Sequence, residues 1–271
     1  MAETVFNGGT FAYELDREPS APALVLIHAG VATRRMWDPI VPGLAQNHRI
    51  LRYDTRGFGD TATDDVHFSE VDDLLAVMGA AGIDRATLIG ASRGGRIAID
   101  AVVEHPDRFT GLVTVGSVPS GFPEVEMTER ENELFDELDA LLAAGDHTQL
   151  NRVEAELWAA GPTRDLIELE PAFLEQAYAL NAANLPHLTE TPKPVPLESP
   201  AYYRTVDIEL PALIVVGEHD LSGELAATEY LLSTVPDSSG ARFPDSAHLP
   251  SVERPDEFVR ILNTWLESRQ L

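Results

Sequence analysis

The chain has 271 residues, 44% of them hydrophobic and none of them cysteine, which excludes wholesale disorder, a disulfide framework, a thiolate nucleophile and a cysteine-ligated metal site. A formal net charge of −26 repels nucleic-acid backbones and anionic bilayers, and the single lysine, Lys193 between Pro192 and Pro194, leaves no Gly-Lys-Ser or Gly-Lys-Thr for a P-loop. The opening residues Met1 to Asn7 form neither a basic nor an apolar leader, and no apolar run reaches membrane-spanning length, so a soluble, cytoplasmic protein without nucleic-acid or membrane partners is expected.

Alternation around Asn7-Gly8-Gly9-Thr10 predicts a hairpin between Thr4-Val5-Phe6 and residues 11–15. Ala23-Leu24-Val25-Leu26-Ile27 is unbroken by polar residues, as in a strand covered on both faces, and runs into His28-Ala29-Gly30. A helix is predicted over Trp37 to Gln46, a strand over residues 49–53, and a helix over residues 69–81, with Ser69 as N-cap and Val71, Leu74, Leu75 and Met78 facing inward. Strands at 86–89 and 111–116 flank a helix beginning near Arg96. Strand, helix, strand in this rhythm specifies an α/β fold with a parallel sheet between helices.

The rhythm breaks near residue 119. From Glu124 to about Thr189 the apolar spacing is helical, with Leu134, Phe135, Leu138, Leu141 and Leu142 on one face and Leu150, Val153 and Leu157 on another. Residues 120–205 are therefore read as a helical lid inserted into a core made of residues 1–119 and 206–271. The proline-spaced return, residues 191–196, suits an irregular connector. Strands at 212–216 and near 241–243 and helices over 224–234 and 255–267 complete the core, the last with Pro255 at its first position.

Gly90-Ala91-Ser92-Arg93-Gly94 stands at the junction of strand 86–89 with the following helix. Gly-x-Ser-x-Gly in that place is a nucleophile elbow: small neighbours let strand and helix pass closely while the serine is held strained and exposed. The Arg93 N–H and the start of the helix then face the point where a carbonyl oxygen would gain negative charge. A serine needs a base, and the base an orienting acid. In an open α/β sheet these belong on loops past the carboxyl ends of strands. Asp220, in Gly217-Glu218-His219-Asp220, and His248, in the last loop, are so placed, and Ser92, Asp220, His248 is the chain order this architecture uses. Glu218 is the weaker rival acid. His219 should diverge from its neighbour Asp220, His105 lies at the far end of the elbow helix, and His48, His67, His147 and His187 read as surface residues.

On these motifs the sequence resembles the α/β-hydrolase superfamily, with His28-Ala29-Gly30 similar to its oxyanion loop and Tyr53-Asp54-x-Arg56-Gly57-x-Gly59 to its arginine-containing loop. The resemblance implies an α/β-hydrolase fold, a mostly parallel twisted sheet flanked by helices with an inserted lid. It makes Gly30 the second oxyanion donor beside Arg93, and His28 a structural residue. It further implies a hydrolase that needs no cofactor and acts on a small-molecule carboxylic ester or lactone through Ser92, His248 and Asp220. Alternatives are a C–C bond hydrolase, an enol-lactonase, a perhydrolase, or a ligand receptor on the same scaffold. Arg34, Arg35 and Arg93 would favour the first two if they met a substrate carboxylate, although salt bridges to surface carboxylates are the ordinary use of such residues. Trp158, Phe122, Phe135, Phe173 and Tyr178 are candidates for an apolar pocket. Gly57-Phe58-Gly59-Asp60-Thr61-Ala62 matches a dinucleotide fingerprint, but polar residues 61–65 follow instead of an amphipathic helix, so no cofactor site is read there; nor does any metal-ligand spacing occur.

Overall fold

In the computed structural model, which describes residues 1–16 and 20–271, strands β1 (Ala2–Phe6) and β2 (Gly9–Asp16) form the expected hairpin. Strands β3 (Ala23–Ile27), β4 (Arg49–Tyr53), β5 (Ala86–Ala91), β6 (Phe109–Val115), β7 (Ala212–Gly217) and β8 (Ser238–Phe243) follow. The sheet order is β1-β2-β4-β3-β5-β6-β7-β8, antiparallel at the hairpin and between β2 and β4 and parallel throughout the rest. The two-residue strand Ala62–Thr63 adds to β2.

The apolar runs split by parity into two cores. Leu24 and Leu26 of β3 face one cluster with Ile89, Val113 and Val215, while Val25 and Ile27 face the other with Leu88, Leu112 and Ile214. The first is closed by Phe258, Leu262 and Leu266 of α7 (Pro255–Arg269). The second is closed by Leu74 and Met78 of α1 (Glu70–Ala80) and Ile97 and Val102 of α2 (Arg93–Glu104). This two-sided cover is why β3, β5, β6 and β7 carry no charged residue: shortening one such buried leucine to alanine costs about 2–5 kcal/mol. Ser69 caps α1 as expected, its side chain accepting from the Asp72 N–H at 3.1 Å; Val77 takes the fully buried place expected of Leu75.

Between β6 and β7 lie α3 (Glu129–Ala144), α4 (His147–Ala160) and α5 (Pro171–Ala182), and α6 (Ser222–Thr234) follows β7. Ala159 of α4 and Phe173 and Leu180 of α5 belong to the same buried cluster as Leu24 and Val215, so these helices pack on the sheet side.

Three expectations need correction. The helix over 37–46 is instead a 3-10 turn at Arg34–Trp37 and a single α-turn at Val41–Leu44, because Pro39 and Pro42 supply no N–H to an unbroken ladder. The apolar spacing was right even so, for Trp37, Ile40 and Leu44 are fully buried. The return segment is more ordered than expected: Lys193–Pro194 pairs in parallel with His67–Phe68. His48 is buried, its ring nitrogens meeting the Leu44 and Leu271 carbonyls at 3.3 and 3.2 Å.

Candidate active site

Ser92 sits between β5 and α2 with φ 51° and ψ −117°, a left-handed backbone that costs a non-glycine residue about 1–3 kcal/mol. The bend is tolerated because its neighbours have no side chains: a β-carbon on Gly90 would lie 2.3 Å from the Gly94 carbonyl oxygen, and one on Gly94 would lie 2.2 Å from that of Ile27. The Ser92 N–H donates to the Val115 carbonyl at 2.8 Å, holding the elbow against the end of β6.

Asp220 follows β7 in a turn whose N–H meets the Gly217 carbonyl at 3.2 Å, and His248 lies in the loop after β8. Both are buried, and His248 Nδ1 donates between the two Asp220 oxygens, 2.9 Å from each. Burial works against a charged His248, but the Asp220 charge and hydrogen bond, with Glu224 behind them, outweigh it and hold the imidazole pKa above its ordinary value. Glu218 is exposed at this strand end, and the His219 ring turns away from Asp220 to the Thr163 hydroxyl at 2.6 Å.

Of three neighbours of this pair, the sequence marks Trp158 only as a pocket aromatic and gives Gly116 and Glu224 no role. Gly116 ends β6 with φ 51°, and a β-carbon there would lie 2.7 Å from Asp220 Oδ2 and 3.1 Å from His248 Nδ1. Trp158 of α4 lays its ring against His248, centroids 4.2 Å apart, and its carbonyl accepts the His248 N–H at 3.3 Å. Glu224 has its pKa pushed up to about 7, by burial first and then by Asp220. A fourth, Glu131, was signalled by the capping box Thr128-x-x-Glu131 ahead of α3. Its buried carboxylate also accepts the Ser222 N–H at 2.6 Å and hydroxyl at 2.8 Å, fastening α3 to the start of α6 beside Glu224.

His28 is buried and its pKa is pushed down to about 4, by desolvation first, against the pull of Asp54. A neutral ring has one donor and one acceptor, and the contacts assign them: Nδ1–H donates to the Ala29 carbonyl at 2.7 Å, and Nε2 accepts the Thr55 N–H at 3.0 Å. Arg93 extends the link, donating from Nη1 to the Thr55 hydroxyl while Nη2 meets Glu70 at 2.6 Å and the guanidinium lies 4.6 Å from the Phe58 ring centroid. Elbow, His28-Ala29-Gly30 loop and the loop after β4 are thus joined, and a β-carbon on Gly30 would touch Arg93 Cβ at 4.0 Å.

The other arginines are committed elsewhere. Arg34 is buried and serves Glu14, Asp54 and Asp60, and Arg35 is exposed beside Asp38. Arg56 binds Asp73 through two contacts, at 2.8 and 2.9 Å. Of the aromatic candidates, Trp158 alone meets the histidine: Phe173 is core, Phe122 packs on Tyr202 and Tyr230, and Tyr178 donates to Glu156. A cavity of roughly 200 Å³ opens beside Gly30 and Phe58 under α4 and α5. Among the described residues no group of three or more His, Asp or Glu is arranged to hold a metal ion, and no helix is long and apolar enough to cross a membrane.

A parallel sheet in this order, with a strained serine and a buried His–Asp pair at its carboxyl edge, defines a class of enzyme, the hydrolases. A profile described as the alpha/beta hydrolase fold matches residues 22–255, and the chain belongs to that family. Similar proteins include 3-oxoadipate enol-lactonase 1 of Acinetobacter baylyi, 23% identical over 266 residues, covering 97% of this chain and 96% of that one. The pimeloyl-[acyl-carrier protein] methyl ester esterase of Aeromonas hydrophila is 27% identical over 255 residues, covering 93% and 98%. Among solved structures, the enol-lactonase of Burkholderia xenovorans LB400 superposes with a TM-score of 0.74 at 26% identity, covering 98% of this chain and all of that one.

Proposed function

We propose that this hydrolase is a cofactor-independent serine enzyme cleaving a small carboxylic ester or lactone, with Ser92 as nucleophile, His248 as base and Asp220 as its orienting acid. The observation that carries the reading is the buried Asp220–His248 contact at 2.9 Å on the same sheet edge as the strained Ser92. With Nδ1 engaged by Asp220, His248 is left with Nε2 to take the Ser92 proton as the oxygen attacks the carbonyl. The oxyanion is received by the N–H groups of Gly30 and Arg93, each worth about 3 kcal/mol of barrier in such sites. His248 returns the proton to the leaving alcohol, and water then cleaves the acyl-enzyme.

In this reading residues 120–205 act as a lid over the core formed by 1–119 and 206–271, and the cavity beside Gly30 receives the substrate. Relatives named as an enol-lactonase and a methyl ester esterase support both bond types. A serine at position 92 speaks against chemistry through an aspartyl ester. The test is labelling with a fluorophosphonate followed by mass spectrometry, with hydrolysis of p-nitrophenyl acetate read in parallel. An adduct on Ser92, and a loss of on the order of 10⁴-fold or more in kcat for Ser92→Ala, are expected. An unlabelled Ser92 in active protein would overturn the assignment.

A further inference from the structure

The inserted segment presents one face of α4 to the candidate site. His147, Asn151, Glu154 and Trp158 recur at helical spacing, and the first three line the cavity beside Gly30 while Trp158 covers His248. Glu154 is one turn from Trp158, about 6 Å along the axis, so its carboxylate stands in the cavity wall within reach of a short acyl or alcohol chain.

The hydrogen-bonding groups around Glu154 are unevenly used. Asn181 Nδ2 donates both to the Asn151 carbonyl at 3.0 Å and to Glu154 Oε2 at 3.0 Å, so its two N–H bonds are taken. Asn184 Nδ2 donates to the Ala32 carbonyl at 3.2 Å. His187 points one nitrogen at Glu190, 2.9 Å away, and the other at the Gly59 carbonyl, 2.8 Å away. The arginine under Phe58, Arg93, is occupied by Glu70 and Thr55. Among the described residues no arginine, lysine or histidine pairs with Glu154. Inside the cavity the Asn181 amide and the His187 ring are consumed, whereas the Asn151 side-chain amide stays available and Glu154 keeps one carboxylate oxygen free of protein partners. His147 lies at the exposed rim.

We infer that Glu154 is a specificity-determining residue. On the reading of the cavity as the substrate site, it selects esters or lactones whose far end carries a hydrogen-bond donor or a positive charge, and it excludes those ending in a carboxylate. An entering carboxylate loses water and meets a like charge at short range, with neutral amides as its main recompense. An ammonium or hydroxyl finds an acceptor already in place.

The probes are three methyl esters of equal chain length: methyl hexanoate, methyl ε-aminohexanoate and the monomethyl ester of adipate, followed by acid release. The native enzyme is expected to discriminate against the adipate monoester relative to methyl hexanoate by roughly tenfold or more in kcat/KM, and to accept the amino ester at least as well as the neutral one. Glu154→Gln is expected to raise the adipate-to-hexanoate ratio by roughly tenfold, read as a ratio within each protein. A native ratio near one refutes the charge selection without any substitution, so the inference stays open to refutation even if the variant does not fold. Adipate monoester cleaved as fast as methyl hexanoate, or a ratio unmoved by Glu154→Gln, overturns the charge selection while leaving the serine hydrolase reading intact. No turnover of any ester and no adduct on Ser92 would sink that reading and this inference together.

Discussion

Gly116 and Asp220 approach so closely that a β-carbon on the glycine would stand 2.7 Å from the carboxylate oxygen facing His248. The left-handed backbone of Gly116 and this contact make the position intolerant of any side chain. Gly116→Ala is expected to displace the acid–imidazole pair and lower kcat/KM at least about tenfold, with a stability loss of about 1–3 kcal/mol. Steady-state kinetics with thermal melts check this; wild-type kinetics in the variant would mean that Asp220 can shift without consequence.

With His248 as the proposed base, the acid limb of the pH profile should report its imidazole, which must be neutral to accept a proton. Since Asp220 and Glu224 hold its pKa above the ordinary imidazole value against the effect of burial, kcat/KM is expected to rise with pH through a midpoint above the ordinary imidazole pKa of about 6.5. Glu224→Gln removes one of the negative charges that favour the imidazolium. Its midpoint should therefore move to lower pH, and a midpoint that stays put or rises would refute the electrostatic role of Glu224.

Arg93 contributes its backbone N–H to the proposed oxyanion hole whatever its side chain, yet the guanidinium also links the elbow to Thr55 and so to His28. In Arg93→Ala the main-chain donor survives, and Glu70 keeps Arg96 at 2.6 Å. The expected result is a loss of about 3- to 10-fold in kcat with little change in KM, since such an outer contact orients groups without touching substrate. A change confined to KM would show that the side chain binds substrate instead.

Arg34 offers the contrasting case, because its buried guanidinium is consumed by Glu14, Asp54 and Asp60. Arg34→Ala leaves the buried Asp54 carboxylate without its counter-ion, held by the N–H groups of residues 34 and 60, and loss of one partner from a buried pair costs about 3–5 kcal/mol. The melting temperature is expected to fall by on the order of 10 °C in calorimetry, with kcat of the surviving folded protein close to wild type. A stable variant with raised KM for carboxylate esters would restore Arg34 as a substrate contact.

Much of the fold was legible because it is written in short-range pattern. Residues 23–27 and 212–216 lack polar side chains because both faces of the strand are covered, and Ser69 marks the start of α1 because its hydroxyl meets a free N–H. The misread helix at 37–46 shows the limit: helical apolar spacing also arises from two successive tight turns once prolines interrupt the ladder. His48 was misread for a related reason, since a polar neighbourhood in sequence says nothing of the chain terminus that folds over it to accept its hydrogen bond.

By itself the sequence determined the alternating architecture, the strained serine turn and the short list of residues from which an acid and a base had to come, all consequences of local sterics and of residue order along the strands. Tertiary structure alone decided how the polar groups were shared. Arg34 went to three carboxylates and Arg93 to Glu70 and Thr55, Trp158 was laid on His248, and Glu154 was left in the cavity wall with no arginine, lysine or histidine paired to it among the described residues. The physical reason is that a buried charge or ring takes whichever partner the packed backbone brings within a few ångströms, and that partner lies far along the chain, beyond any periodicity a sequence can display.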